Sequence, residues 1–274
     1  YSDLDLVSSE TAKWAGRCLE ELERGRLLKW HRLFRFPLAR YFFRLVEKCG
    51  IPGLALHQSI RKHLIATETS KLLADENNAL VVIGGGLDSL ALQQSASSSR
   101  RKIVELDHPS TQQVKKTVLK SYASDASTLQ LTEFDASKDS LHEVVTCLDS
   151  ASIEQAVFIC EGVLMYLPEE KVRNLLEQVA TAAPKVTLIF TFMDQSHDGS
   201  WHFAEATMAA RAWLRLVGEP FLWGCPKSEL GSFLSECGLQ LVDILDTRDW
   251  RVRGSSEHGL PVASGEYLAI AKCH

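Results

Sequence analysis

The chain has 274 residues, of which 45% are hydrophobic and 24% are charged. It is therefore long enough to bury a sizeable core without disulfide or metal staples, in one large domain or two small ones. No apolar run approaches the roughly 20 residues needed to cross a bilayer, which argues against a membrane-spanning segment. These features predict a globular protein of the cytoplasm.

The cysteine and histidine patterns argue against a metal site. The seven cysteines are odd in number and widely spaced, and none forms a Cys-x-x-Cys pair. That pattern favours reduced thiols over a disulfide framework or a zinc site. His197 and His202 are five residues apart, which is the wrong spacing for two metal ligands on one helix. We therefore predict no metal ion.

The net charge of −5 is unevenly distributed along the chain. Residues 24–48 hold eight lysines or arginines and one acid, Glu47, so this basic segment carries +7 and the remainder −12. The segment can form amphipathic helices that cover a sheet as a lid, or a docking face for an acidic substrate or carrier. The acidity of the remainder disfavours nucleic acid or a membrane as its partner.

Helical patterns dominate the N-terminal part of the chain. Apolar residues recur at helical spacing over residues 10–48, with a break expected near Pro37, and again over residues 57–74. We therefore expect residues 1–74 to form an N-terminal helical cap and residues 75–274 to form the core domain.

A short apolar run in the core domain ends abruptly in three glycines. Residues 80–83 are typical of a strand buried on both faces, and residues 87–94 can form a helix. Between them, Gly84, Gly85 and Gly86 let the backbone turn sharply and approach a ligand, because no Cβ is in the way. A strand, a glycine turn and a helix are the opening of a nucleotide-type site in a parallel sheet.

Strands and helices then alternate. Further strands are predicted at 102–107, 127–135, 155–162 and 186–193, with helices at 109–122, 140–150 and 168–183. This order predicts a doubly wound α/β sheet. After residue 194 we expect a substrate-pocket insertion at about 195–226, which includes a helix over 201–217. A helix at 227–237 and two edge strands at 239–245 and 266–273 follow.

The residues around the glycine turn discriminate between ligands. The dinucleotide pattern G-x-G-x-x-G is only partly met, because Ser89 stands at its last position, and Asp88 lies where a pyrophosphate would bind. S-adenosylmethionine carries no phosphate and has a cationic sulfonium. Its ribose and adenine need acceptors, which Asp107, Asp135 and Glu161 supply at the ends of successive strands.

Three short motifs resemble the leucine carboxyl methyltransferase family. They are Gly-Gly-Gly-Leu-Asp-Ser at 84–89, Glu-Leu-Asp-His-Pro at 105–109 and Glu-Gly-Val-Leu-Met-Tyr-Leu at 161–167. Residues 218–221 and 265–267 are also similar, and the resemblance runs from about Arg61 to the C-terminus. The family includes enzymes that methylate protein phosphatases and bacterial O-methyltransferases that act on small molecules.

The resemblance implies a Rossmann-like class I methyltransferase with helices on both faces of a seven-stranded, mostly parallel sheet. The implied strand order is 3-2-1-4-5-7-6, with the last strand antiparallel. It also implies contacts to S-adenosylmethionine: Arg61 to the methionine carboxylate, Gly84 and Gly86 beside the methionine moiety, Asp107 to the ribose, Asp135 with Ala136 to the adenine, and Glu161 close by. The chain departs from the family where Leu90 and Ala136 replace an arginine and a leucine.

The chemistry depends on the methyl acceptor. A carboxylate, with a pKa near ~4, is already ionised at pH 7 and needs no general base, whereas a hydroxyl must lose its proton. Tyr166 is expected either to line the methyl-transfer site or to be a buried structural residue. Trp201, Trp223 and Arg211 are candidate substrate contacts, although Arg211 is also consistent with an exposed helical position.

The prediction is an S-adenosylmethionine-dependent O-methyltransferase that acts on a carboxylate of a small molecule. The alternatives are a methyltransferase for a protein's C-terminal carboxylate, an NAD(P)-dependent oxidoreductase, and a non-catalytic cofactor-binding protein.

Overall fold

Strands and helices alternate through most of the chain, as predicted. A computed structural model describes residues 6, 8–24, 46–98, 100–122, 129–142, 153, 155–196, 198–216, 220–249 and 261–273. The strands are β1 (Ala79–Ile83), β2 (Ile103–Asp107), β3 (Leu129–Glu133), β4 (Ala156–Cys160), β5 (Val186–Met193), β6 (Gln240–Leu245) and β7 (Glu266–Cys273). The helices are α1 (Ser9–Leu22), α2 (Leu54–Leu72), α3 (Leu90–Ser97), α4 (Pro109–Tyr122), α5 (Glu169–Ala180), α6 (Met208–Leu216) and α7 (Leu230–Glu236).

The seven strands form one sheet in the order β3-β2-β1-β4-β5-β7-β6. β1 is parallel to both of its neighbours, with Val81 opposite Val104 on β2 and Phe158 on β4. β7 lies between β5 and β6 and is antiparallel to both. The predicted fold class and strand order, including the antiparallel last strand, are confirmed.

The central strands are buried along their whole length. Every residue of β1, β4 and β5 is buried, whereas the edge strands β3 and β6 are mostly half-buried or exposed. Helices cover both faces of a doubly wound sheet, so its central strands require continuous apolar runs. The apolar runs of the sequence therefore mark the middle of the sheet.

Helix α2 belongs to the core of the sheet. Its buried residues Leu56, Ile60 and Leu64 share an apolar cluster with Leu80 and Val82 of β1. Helix α1 packs elsewhere, against α3 and α4, where Trp14 and Cys18 are buried. The division into a cap at 1–74 and a core at 75–274 stays a prediction.

Two predictions differ from the structure or fall outside it. The helix predicted over 201–217 begins only at Met208, because Trp201 pairs with Gln195 in an isolated bridge and packs its ring against Gly224. Most of the basic segment 24–48, all but the first three residues of the predicted helix 140–150, and His197 lie outside the described residues. None of the helices described is both long and apolar enough to cross a membrane.

Candidate active site

A cavity of about 670 Å³ opens at the carboxyl ends of β1 and β4. One side, which we call the charged wall, consists of the glycine turn with Arg61, Lys62, Glu161 and Glu266. The other side, the aromatic wall, consists of Met165, Tyr166, Phe203 and Phe221. Crevices beyond the strand ends are where open α/β sheets bind ligands.

The glycine turn has a backbone that favours glycine at two positions. Gly84 and Gly86 have φ angles of 68° and 56°, in the left-handed region that other residues rarely adopt. A Cβ on Gly84 would lie 2.1 Å from Cγ2 of Val163. The Gly84 N–H donates to the carbonyl of Leu106 at 2.7 Å, and the Gly86 N–H donates to the Asp107 carboxylate. The turn is thus held against the ends of β2 and β4.

A buried ion pair supports the turn from below. Lys115 and Glu105 are 0% and 1% exposed, and the ammonium lies 2.6 Å from the carboxylate. The same ammonium donates to the carbonyl of Asp88 at 2.6 Å. Sequence reasoning missed this pair. Glu105, an acid between the apolar residues Val104 and Leu106 of β2, was the available signal, because buried acids require partners.

Helix α1 fixes the far end of the turn. The indole N–H of Trp14 donates to the carbonyl of Leu87 at 2.7 Å, and the Trp14 ring is 1% exposed. The N-terminal helix is therefore tied to the cavity by Trp14, and also by Thr11, which accepts from the side chain of Gln93 at 2.8 Å.

Arg61 lies between two carboxylates on the charged wall. Its Nη1 donates to both oxygens of Glu266, at 2.8 and 2.6 Å, and its Nε and Nη2 each lie 2.8 Å from Oε1 of Glu161. Arg61 thus lies beside Glu161, the residue after the carboxyl end of β4, with a charged partner on each side.

Lys62 extends this network to the start of α3. Its ammonium contacts the Asp88 carboxylate and lies 3.3 Å from Oε2 of Glu161. Burial alone would raise the pKa of Asp88, but the Lys62 ammonium lowers it below its ordinary value. Sequence reasoning expected Asp88 to repel a phosphate. Lys62, which that expectation did not consider, pairs with Asp88, and the expectation stays a prediction.

Glu266 is the most deeply buried acid of the charged wall. It is 1% exposed, and its Oε2 lies 2.9 Å from Nε2 of His57. Burial opposes its ionisation, yet Arg61 and His57 lower the pKa of Glu266 to about 2. Glu266 is therefore a permanent anion at neutral pH.

The remaining predicted cofactor residues do not line this cavity. Asp107 accepts from the N–H groups of Gly86 and, at 2.6 Å, His108. Asp135 accepts from the backbone of Ser137 at 3.0 Å and from Lys138 at 2.7 Å. The hydrogen bonds from Lys138 and Ser137 lower the pKa of Asp135 to about 2. Ala136 packs against the main apolar cluster.

The aromatic wall is a chain of edge-to-face rings. The ring of Tyr166 lies 5.6 Å from that of Phe221, which lies 6.2 Å from that of Phe203. Such T-shaped pairs are the favoured geometry between aromatic side chains. Tyr166 is 38% exposed, so it faces the cavity rather than serving as a buried structural tyrosine.

The three predicted substrate contacts are not among the residues that line the cavity, although Trp201 packs against the cluster that contains Met165 and Phe203. Trp223 is 2% exposed and packs on Phe233 in the core, with ring centroids 5.4 Å apart. Trp201 packs on Gly224. Arg211 pairs with Asp198 at 3.1 Å beside a separate cavity of about 440 Å³. Phe203 and Phe221 both fall in the predicted substrate-pocket insertion, and Phe221 ends the family-like residues 218–221, but neither was singled out as a contact.

A sheet in the order β3-β2-β1-β4-β5-β7-β6, with a glycine turn after β1 and a ligand cavity above it, defines a Rossmann-like class I methyltransferase. The model of the leucine carboxyl methyltransferase family matches residues 27–180, which is more than half of the chain. The chain belongs to this family of S-adenosylmethionine-dependent O-methyltransferases. The predicted family and cofactor are confirmed.

Several solved structures are similar to this chain at low identity. "Structure of the Pyocyanin Biosynthetic Protein PhzM" is 17% identical, with a TM-score of 0.48 over 89% of this chain and 61% of that one. The mitomycin 7-O-methyltransferase MmcR is 15% identical, with a TM-score of 0.45 over 95% and 68%. NcsB1, an O-methyltransferase from neocarzinostatin biosynthesis in complex with S-adenosyl-L-homocysteine and 1,4-dihydroxy-2-naphthoic acid, is 14% identical, with a TM-score of 0.43 over 95% and 69%.

The chain thus spans about three fifths of the length of PhzM. At these TM-scores the similarities support no conclusion about the substrate. No curated protein matches the sequence.

Proposed function

We propose that this methyltransferase transfers a methyl group to a carboxylate of a small molecule. S-adenosylmethionine supplies an electrophilic methyl on its sulfonium. The protein's part is to orient the two reactants and exclude water, because well-aligned partners can react with effective molarities on the order of 10⁵ M or more.

The net charge of the cavity supports the binding of S-adenosylmethionine there. Glu105 is paired with Lys115 beneath the turn, which leaves the cations Arg61 and Lys62 against the carboxylates of Asp88, Glu161 and Glu266, a net charge of −1 among the described lining residues. The methionine end of S-adenosylmethionine carries a carboxylate, an ammonium and a sulfonium, a net charge of +1. A dinucleotide would instead bring a doubly negative pyrophosphate.

The residues of the charged wall suit the separate groups of that cofactor. Arg61 is the guanidinium available to the methionine carboxylate, and Glu161 is the acid available to its ammonium. Gly84 and Gly86 present bare backbone to the cavity, which permits close approach. Asp107, Asp135 and Ala136 are assigned to the ribose and adenine by family resemblance.

The paired state of the acids supports a carboxylate acceptor. Asp88, Glu161 and Glu266 each contact Arg61 or Lys62, and the pKa of Glu266 is lowered to about 2. Acids held in this way are poor bases for a hydroxyl at pH 7. A carboxylate acceptor needs no base, because it is already ionised at pH 7. The aromatic wall offers the acceptor an apolar surface, and the cavity has a volume typical of small-molecule sites, roughly 300–1,000 Å³.

The test is a methylation assay with methyl-labelled S-adenosylmethionine and matched acceptors. An aromatic acid, its primary amide and its primary alcohol are compared at equal concentration. Only the acid should accept the label, and mild alkali should release the label as methanol, because the product is an ester. The value of kcat/KM should stay level between about pH 6 and pH 9, since the carboxylate remains ionised throughout that range.

Three results would contradict the proposal. They are methylation of the alcohol, an alkali-stable product, or a rate that rises with pH as a hydroxyl loses its proton. Peptides with a free C-terminal carboxylate test the protein-substrate alternative in the same assay. Faster turnover of these peptides than of any small acid would favour that alternative.

A further inference from the structure

A histidine in the core of the protein is bonded on both of its nitrogens. His57 is 0% exposed and lies on α2, one helical turn before Arg61. Its Nδ1 is 2.9 Å from the hydroxyl of Thr247, and its Nε2 is 2.9 Å from Oε2 of Glu266. Its ring also packs edge-to-face on Phe203, with centroids 5.4 Å apart. These contacts leave its ring no freedom to rotate.

We propose that His57, acting through Glu266, is a positioning residue that holds the Arg61 guanidinium ready for the cofactor's carboxylate. The proposal rests on the assignment of Arg61 under the proposed function and adds the device that fixes it. His57 is not among the residues that line the cavity, so its effect on the cofactor's carboxylate passes through Glu266 and Arg61, whereas an effect through Phe203 would reach the aromatic wall instead.

The two carboxylates around Arg61 are held very differently. Glu266 is 1% exposed and accepts from both His57 and Nη1 of Arg61. Glu161 is 13% exposed, and within the described part of the chain its ion pairs are with two flexible cationic side chains, Arg61 and Lys62. When another anion reaches the guanidinium, Glu161 is the partner that can move aside at low cost. Glu266 stays, because leaving would unpair a buried charge.

The orientation of the guanidinium follows from this difference. Nη1 points to Glu266, so Nε and Nη2 point to Glu161 and the cavity. Nε and Nη2 form the planar edge that binds a carboxylate through two parallel hydrogen bonds. An arginine without the fixed partner can turn that edge away, since its side chain has many rotamers.

The experiment compares two ligands in wild-type protein and variants. S-adenosylhomocysteine carries the α-carboxylate, whereas 5′-methylthioadenosine keeps the adenosine and the sulfur but lacks the α-carboxylate and α-ammonium. Isothermal titration gives both dissociation constants. His57→Leu should lower the affinity for S-adenosylhomocysteine about 10-fold to 100-fold, the range expected for the loss of a hydrogen bond to a charged group. The affinity for methylthioadenosine should change less than about twofold, because that ligand never meets Arg61.

Two further variants separate positioning from general damage. His57→Gln keeps an N–H donor for Glu266 and a carbonyl acceptor for Thr247, and it should restore most of the S-adenosylhomocysteine affinity. Thr247→Val removes only the hydrogen bond to Nδ1 of His57. It should lower the affinity for S-adenosylhomocysteine by less than His57→Leu does. Leu64→Ala loosens the same helix without touching Glu266 and should leave the ratio of the two affinities as in wild type.

Specific outcomes would overturn the inference. If His57→Leu weakened the binding of S-adenosylhomocysteine and of methylthioadenosine by the same factor, the histidine would be only structural. The same would follow if neither His57→Leu nor Thr247→Val changed the affinity for S-adenosylhomocysteine. Wild-type protein that binds neither ligand would overturn the cofactor site itself and this inference with it.

Discussion

The two walls of the cavity are built in opposite ways. On the charged wall, each ionised group has a partner of opposite charge, and Glu266 and Glu105 are anchored by buried side chains from α2 and α4. The aromatic wall is built from ring contacts among residues that follow β4 and β5 outside the long helices and strands.

This contrast indicates how the molecule divides its tasks. Interactions between charges depend steeply on distance and burial, so a wall that uses them needs a rigid support. Apolar contacts are non-directional and accept many shapes. The charged wall therefore suits one invariant cofactor, and the aromatic wall suits recognition by shape. The predictions below test whether the two walls respond separately.

The largest expected effect is the loss of the support beneath the glycine turn. Lys115→Met leaves the Glu105 carboxylate buried without a partner, which typically costs about 3–5 kcal/mol of the free energy of unfolding. Urea unfolding at pH 7 measures it. Burial raises the pKa of Glu105 to about 7 even though Lys115 opposes that shift. Without Lys115 the acid takes up a proton more readily, so the penalty should shrink as the pH falls towards 5.

The double variant Glu105→Gln/Lys115→Met is the control. It removes both charges and keeps the shape that fits beneath Gly85, so it should recover more than half of the lost stability. A double variant that is as unstable as the single one would show that the ion pair is not the source of the effect.

The next largest effect is expected in the turn itself. Gly84→Ala places a methyl group 2.1 Å from Val163 at a φ of 68°. Overlap of this kind costs roughly 1–3 kcal/mol, and the left-handed backbone adds about 1–2 kcal/mol. S-adenosylhomocysteine binding should be lost with the turn, as isothermal titration would measure.

Two variants calibrate that result. Gly86→Ala meets no atom within 4 Å at a φ of 56°, so only the backbone cost remains. Gly84→Ala/Val163→Ala removes the overlapping methyl and should regain part of the binding. If Gly86→Ala were as damaging as Gly84→Ala, the contact with Val163 would not be the cause.

The parts of the molecule that follow from local patterns could be predicted from the sequence. β1 and the glycine turn are continuous stretches, and the strand order follows from the family that the motifs of residues 84–89 and 161–167 resemble. The start of α6 was misplaced, because Trp201 fits a helical pattern but is held by Gln195 and Gly224 from outside that stretch.

The supporting residues could not be predicted for a related reason. His57 and Glu266 are 209 positions apart in the chain, and only the folded sheet brings β7 beside α2. Phe203 and Phe221 fall in the predicted pocket insertion, but they carry no charge and match no spacing rule, so the sequence does not show that these two rings face the cavity. Pairwise contacts between distant elements are set by packing, which a linear pattern does not record.

The smallest effect concerns the aromatic wall and the arginine that the sequence suggested as a substrate contact. Tyr166→Ala removes the ring that faces Phe221, and it should raise the KM for the acceptor roughly tenfold, since one aromatic contact is worth about 0.5–1.5 kcal/mol. It should leave the affinity for S-adenosylhomocysteine unchanged, because the Tyr166 ring packs on Phe221 of the aromatic wall. Steady-state kinetics with the accepted acid and isothermal titration supply the two values.

Arg211→Ala is the matched comparison, because Arg211 pairs with Asp198 at 3.1 Å beside the separate cavity. An exposed ion pair of this kind contributes about 0–1 kcal/mol, so stability, acceptor KM and cofactor affinity should all stay near wild type. If Arg211→Ala raised the acceptor KM as much as Tyr166→Ala does, Arg211 would have to contact the acceptor. That result would also mean that the acceptor is held by charge as well as by shape. A loss of cofactor affinity in Tyr166→Ala would instead show that the two walls are coupled, because a group on one wall would then control the ligand of the other.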